Sequence, residues 1–122
     1  MSKVMMDMDL KRANFCLNKV KEIDSSIKDK FKSYAQKLPS LITSNGLIMT
    51  LAFIKSKSER AYEELYDILD EWLTKEALIP WESEEEDLLE RLTKQSTEIV
   101  ILVTQEAMRL AEWLKRMVEA EL

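Results

Sequence analysis

Three observations predict an all-α fold, a single compact bundle of five to six helices with a buried central helix. Glycine and proline together number three in 122 residues, while Ala, Leu, Glu, Lys and Met abound. Apolar residues recur at helical spacing along most of the chain. The only glycine, Gly46, follows Pro39 by seven residues and opens an apolar run to Ile54 that Thr50 alone interrupts. Such a run is apolar on nearly every side of a helical wheel, which predicts a helix in the middle of a bundle.

The elements follow in order. The first eight residues carry no signal-peptide core and are expected to form a frayed arm of a single domain spanning 1–122. A first helix is expected over about Asp9–Asp24, with Leu10, Ala13, Cys16, Leu17, Val20 and Ile23 on its inner side. Ser26-x-x-Asp29 resembles a capping box and opens a second helix, whose inner positions are Ile27, Phe31, Tyr34, Ala35 and Leu38. Pro39 lacks an N–H and disfavours helical geometry at Leu38, so an end or a kink is expected there. Asn45-Gly46 tolerates left-handed backbone angles and can cap or bend the next turn.

The third helix is the apolar segment from Asn45 to about Ser56. A fourth, about Ser58–Lys75, turns Ala61, Tyr62, Leu65, Ile68, Leu69, Trp72 and Leu73 inward. Leu78-Ile79-Pro80-Trp81 reads as a connection with Trp81 plugging the core, and Ser83-Glu84-Glu85-Glu86 as a capping box for a short helix to about Lys94. The last helix covers about Ser96–Ala120. Its β-branched stretch Ile99–Val103 tempts a strand, but Ile99, Leu102, Val103, Ala107, Leu110, Leu114 and Met117 continue one helical stripe across it. Met49, Met108 and Met117 read as core fillers, as do Trp72 and Trp113.

The inventory of reactive groups is short. Histidine is absent, which removes the commonest general base and metal ligand. One cysteine, Cys16, excludes an internal disulfide, fits a reducing cytoplasm and reads as a buried small hydrophobe. One glycine excludes phosphate-cradling loops. Glu63, Glu64, Asp67, Asp70 and Glu71 have i, i+3 and i, i+4 spacings that suit magnesium, though a solvated helix face explains them as well. No catalytic residue, metal or cofactor is expected, so the chain reads as a non-enzyme. No run of about 18 apolar residues is present, so no membrane span is expected.

Charge is unevenly divided. Residues 1–60 hold twelve Lys/Arg against six Asp/Glu, and residues 61–122 hold six against seventeen, within a net charge of −5. A basic surface facing a polyanion is one consequence of such asymmetry. Lys11, Arg12 and Lys19 are expected to project away from the Leu10–Leu17 side of the first helix, with Phe15 and Asn18 between them. Cations around an exposed ring suit single-stranded RNA, charge for phosphates and ring for bases. Packing of Phe15 on a neighbouring helix is the plainer alternative. Lys37, Lys55 and Lys57 flank the apolar helix where it meets water. On the last helix Gln105, Arg109, Glu112 and Arg116 form a polar stripe, with Glu112 and Arg116 spaced as an i, i+4 pair.

Three blocks resemble a known family. They are Arg12-Ala13 through Val20-Lys21-Glu22; the segment Pro39…Ser44-Asn45-Gly46-Leu47…Thr50-Leu51-Ala52-Phe53…Ser56-Lys57; and Thr104-Gln105-Glu106-Ala107…Trp113-Leu114-Lys115-Arg116. In this order they are similar to the small α-helical subunit of the type III-B CRISPR RNA-silencing (Cmr) complex. The second block is the most specific, and the three cover half to two thirds of the chain.

The resemblance implies a non-catalytic scaffold within a ribonucleoprotein. Copies of the subunit stack along the CRISPR RNA, help accommodate target RNA and leave cleavage to other subunits. Partners would be those subunits, further copies of itself and both RNAs, with the isolated protein a monomer in the cytoplasm. Charge and placement then nominate Lys11, Arg12, Phe15, Lys19, Lys37, Lys55, Lys57, Lys115 and Arg116 as RNA contacts. Two rival readings stand beside this one: an acidic helical adaptor that binds protein only, and a small metal-dependent nuclease.

Overall fold

The computed structural model describes residues 3–76 and 87–122. Helices there are α1 (Lys3–Lys21), α2 (Lys28–Asn45), α3 (Leu47–Ser56), α4 (Arg60–Glu71), α5 (Leu88–Thr93) and α6 (Thr97–Glu121). A 3₁₀ turn, Ser25–Ile27, precedes α2, and α4 runs on into a π turn, Trp72–Glu76. The Leu78–Trp81 connection and the Ser83–Glu86 capping pattern lie outside the described residues. An all-α bundle is therefore what the chain forms.

The longest helix, α6, is the spine. Ser96 caps it, its hydroxyl accepting the Ile99 N–H at 3.3 Å. The helix runs unbroken through Ile99–Val103, as the stripe predicts. Its buried positions are Val103, Ala107, Leu110, Ala111, Leu114 and Val118, a spacing of three and four that keeps one face on the core. Leu102 is one position off that face and is 57% exposed, contrary to expectation. Gln36 of α2 meets Glu119, and Thr43 meets Met108, so α2 runs antiparallel to α6. Phe31, Ala35, Leu38, Pro39 and Ile42 form the apolar face that α2 buries.

Several local expectations change. Helix α1 begins at Lys3 rather than Asp9, since nothing in Lys3–Met8 breaks a helix. Its buried edge is Arg12, Cys16 and Val20, whereas Leu10 is 69% exposed. The Ser26 capping box does not form. Asp24 instead accepts the Ser26 N–H at 2.9 Å and caps the 3₁₀ turn. Pro39 does not end α2. It sits buried inside the helix beside Leu38, and its missing N–H forgoes a bond to the Ala35 carbonyl that tertiary burial offsets.

The break falls at Gly46. With φ 81° and ψ 166°, this residue ends α2 by donating its N–H to the Ile42 carbonyl at 2.8 Å. Its own carbonyl accepts from the Thr50 N–H at 3.1 Å and the Thr50 hydroxyl at 2.7 Å, which starts α3. One residue thus serves two helix ends, and the lone polar residue of the apolar run satisfies that junction. A Cβ on Gly46 would meet nothing within 4 Å, so its requirement is conformational and owes nothing to crowding. Gly46→Ala is expected to destabilise by about 1–3 kcal/mol, because this backbone region is essentially restricted to glycine. Urea unfolding checks it, and a midpoint equal to that of the unmodified protein would show that the junction relaxes without strain.

Helix α3 is not buried on all sides. Leu47, Thr50, Leu51 and Ile54 face inward at i, i+3, i+4 and i+7. Ala52 and Phe53 face water with Met49, which is 64% exposed and so not a core filler. Composition placed apolar residues all around this helix, but α2, α4 and α5 cover only part of it.

Candidate nucleic-acid interface

The nine candidate residues fall into separate settings. Arg12 does not project into solvent: it is 6% exposed. Its Nε and one terminal nitrogen donate to the two carboxylate oxygens of Glu106 at 2.7 and 2.8 Å, and the other terminal nitrogen reaches Asp9 at 2.8 Å. The indole N–H of Trp72 also donates to Glu106, at 2.9 Å. This bidentate pair locks α1 to α6 and to the start of the π turn. The sequence contains the signal for it, since Arg12, Cys16 and Val20 are spaced i, i+4, i+8 and extend one buried edge.

Phe15 lies half-buried, with its ring centroid 5.0 Å from that of Trp72. The ammonium of Lys19 stands 5.6 Å over the Phe15 ring and pairs with Glu71. That pairing raises the Lys19 pKa despite the opposing effect of burial. Lys11, Asn14, Phe15, Asn18, Lys19, Glu22, Glu71 and Trp72 together line one groove. Of the expected group, Lys11, Phe15, Asn18 and Lys19 are brought together while Arg12 is turned inward, and the ring packs on a neighbouring helix rather than standing clear.

At the far end of α3, Lys55 pairs with Asp87 at 2.8 Å. Lys57 lies 4.9 Å over the Phe53 ring. Phe53 in turn meets Tyr62 edge-on at 5.9 Å, and Tyr62 stacks on Tyr34 at 3.8 Å. Lys37 is exposed on α2. On α6, Lys115 is half-buried, and Arg116 pairs with Glu119 at 3.2 Å instead of Glu112. The candidate cations are thus spread over α1, α2, the end of α3 and α6.

Asp87 organises the α3–α4–α5 corner. Beyond Lys55, it accepts the Tyr66 hydroxyl at 2.7 Å, and that hydroxyl accepts the Leu89 N–H at 3.1 Å. Tyr66 thus caps the start of α5. Desolvation pushes the Asp87 carboxyl up, but Lys55 and Tyr66 together hold it below its ordinary range. A depressed carboxylate stabilises the fold above its unfolded pKa, and the contribution is lost as pH falls through the folded value. Tyr66→Phe removes both bonds and is expected to cost about 1.5–3 kcal/mol. Thermal melting checks this, and a shift of under about 1 °C would contradict it.

Of the five carboxylates whose spacing suits magnesium, Asp70 and Glu71 are engaged elsewhere. Asp70 accepts from Thr74 at 2.8 Å and Arg91 at 3.0 Å, while Glu71 pairs with Lys19 and Lys75. Among the described residues no group of three His, Cys, Asp or Glu is placed to hold a metal ion. Cys16 is buried, and desolvation pushes its thiol up to about 12, which keeps it protonated and inert.

Known proteins extend this picture. The model of the CRISPR-associated protein family Cas_Cmr5 matches residues 8–121. The CRISPR system Cmr subunit Cmr5 of Thermotoga maritima is 29% identical over 112 residues, covering 92% of this chain and 82% of its own length. The crystal structure of a CRISPR-associated Cmr5 family protein from Thermus thermophilus superposes with a TM-score of 0.75 at 26% identity, covering 89% of this chain and 91% of that one. With a family match running almost from end to end, and the same helical fold in a solved relative, this chain belongs to the Cmr5 family of CRISPR-associated proteins.

Proposed function

We propose that this chain is a non-catalytic structural subunit of a type III-B CRISPR ribonucleoprotein, the Cmr complex. In this reading, copies stack along the path of CRISPR RNA and target RNA in the cytoplasm, and they support RNA-guided cleavage of invader RNA in antiviral defence. The observation that carries the reading is the family match over residues 8–121. The helical bundle supports it by presenting cations on several exposed surfaces. Lys11, Lys37, Lys57, Lys115 and Arg116, with Phe15, Lys19 and Lys55, are the proposed RNA-facing groups. Arg12 is withdrawn from that set because Glu106 and Asp9 occupy its guanidinium. Base pairing between the two RNAs would read sequence while the protein holds backbone and shape.

Affinity purification of the tagged chain from its native cell tests the proposal. The expected result is a stoichiometric complex containing larger CRISPR subunits and a short RNA of uniform length. Recovery of protein partners alone, free of RNA and of CRISPR subunits, would favour the stand-alone adaptor.

A further inference from the structure

One exposed face of α1 carries more than charge. Lys11, Asn14, Phe15, Asn18 and Glu22 recur at i, i+3, i+4, i+7 and i+11, and with Lys19, Glu71 and Trp72 they enclose a groove of about 400 Å³. That lies within the range of small-ligand sites, roughly 300–1,000 Å³. Resting on the reading of the chain as an RNA-associated subunit, we infer that this groove takes one unpaired nucleobase of a single-stranded RNA.

Each part of the groove has a role in that recognition. Phe15, tilted against the buried Trp72, forms an apolar floor that a base can touch beside the Lys19 ammonium. Asn14 and Asn18 stand at its rim, and the Asn18 amide donates to the Asn14 carbonyl at 3.3 Å. That bond leaves the Asn14 side-chain NH2 and the Asn18 side-chain oxygen without a protein partner among the described residues, one donor and one acceptor. A base edge offers the complementary combination. Lys19 closes one side, fixed over Phe15 by Glu71. Lys11 is exposed at the opposite end from Glu22, so the groove is positive at one end and negative at the other. The phosphate next to the bound base belongs at the Lys11 end. A uniformly acidic or uniformly apolar groove would suit a peptide better; paired amides over an aromatic floor beside a cation suit a nucleotide.

The test is a titration of the ¹⁵N-labelled full chain with octauridylate and octaadenylate at low salt and millimolar RNA, with inorganic polyphosphate as a polyanion without bases. The side-chain amide signals of Asn14 and Asn18 and the indole signal of Trp72 are expected to move with RNA, while polyphosphate leaves the amides unchanged. Asn14→Ala with Asn18→Ala replaces exposed residues only. It is expected to weaken oligonucleotide binding about 2- to 10-fold without changing polyphosphate binding. RNA-induced shifts confined to other surfaces would overturn the groove while leaving the RNA reading intact. Equal movement of the amides by polyphosphate would reduce the site to nonspecific charge and overturn base recognition. Absence of any RNA-induced shift, together with RNA-free native complexes, would overturn both. Protection of the groove in an RNA-free native complex would assign it to a protein partner instead.

Discussion

Glu106→Ala is expected to lower stability by about 3–5 kcal/mol and the melting temperature by about 10 °C or more. The variant removes the two Glu106 oxygens that accept from the Arg12 guanidinium and the acceptor of the Trp72 indole. Arg12 would keep only Asp9, at 2.8 Å, while its side chain stays 7% exposed. A buried cation stripped of its main partner is penalised far more than the pair is rewarded, since desolvation persists when the Coulomb attraction is gone. Replacing both members, Arg12→Met with Glu106→Leu, should therefore recover more than half of the loss. Urea unfolding of the three variants closes the cycle. A single-variant loss below about 1 kcal/mol would show that the pair is solvated and that α1 is held to α6 by apolar contacts alone.

Much of the fold was legible because helix periodicity is a local property. Phe31, Ala35 and Leu38, or Val103, Ala107, Leu110 and Leu114, lie where their spacing put them. The misplacements have one physical source, which is that long-range partners decide which edge of a helix is inner. Arg12 looked like a surface cation because its partner lies 94 residues away. Leu10 reads as a core residue because it is apolar, yet the packed edge passes through Arg12, Cys16 and Val20. Pro39 is a strong local signal that burial overrode, whereas Gly46 was decisive because no tertiary contact supplies a left-handed angle cheaply to another residue. The groove on α1 was only half legible. Sequence spacing collects Lys11, Phe15 and Asn18, but the opposing wall of Glu71 and Trp72 comes from another helix. Tyr66 as the cap of α5 gave no local signal at all.

Triple replacement of Lys11, Lys37 and Lys57 by alanine should weaken target-RNA binding by the assembled complex about 10- to 100-fold. No ion pair holds these three cations among the described residues, whereas Arg12, Lys19 and Lys55 are engaged by Glu106, Glu71 and Asp87. Charge alone therefore singles them out for phosphate, because an ammonium already paired must break one contact to make another. Each lost phosphate contact is worth roughly 0.5–0.9 kcal/mol. It also lowers the slope of log affinity against log salt by about 0.7 for a single strand, so the triple variant should lose about 2. The isolated chain, with net charge −5, should bind RNA only weakly at physiological salt, since its summed field opposes a polyanion. Assembly is what would turn the basic surfaces toward the RNA. Because all three side chains are solvent-facing, assembly and thermal stability should be unchanged, which isolates the RNA term. A variant complex with wild-type affinity and salt slope would confine this subunit to protein–protein scaffolding.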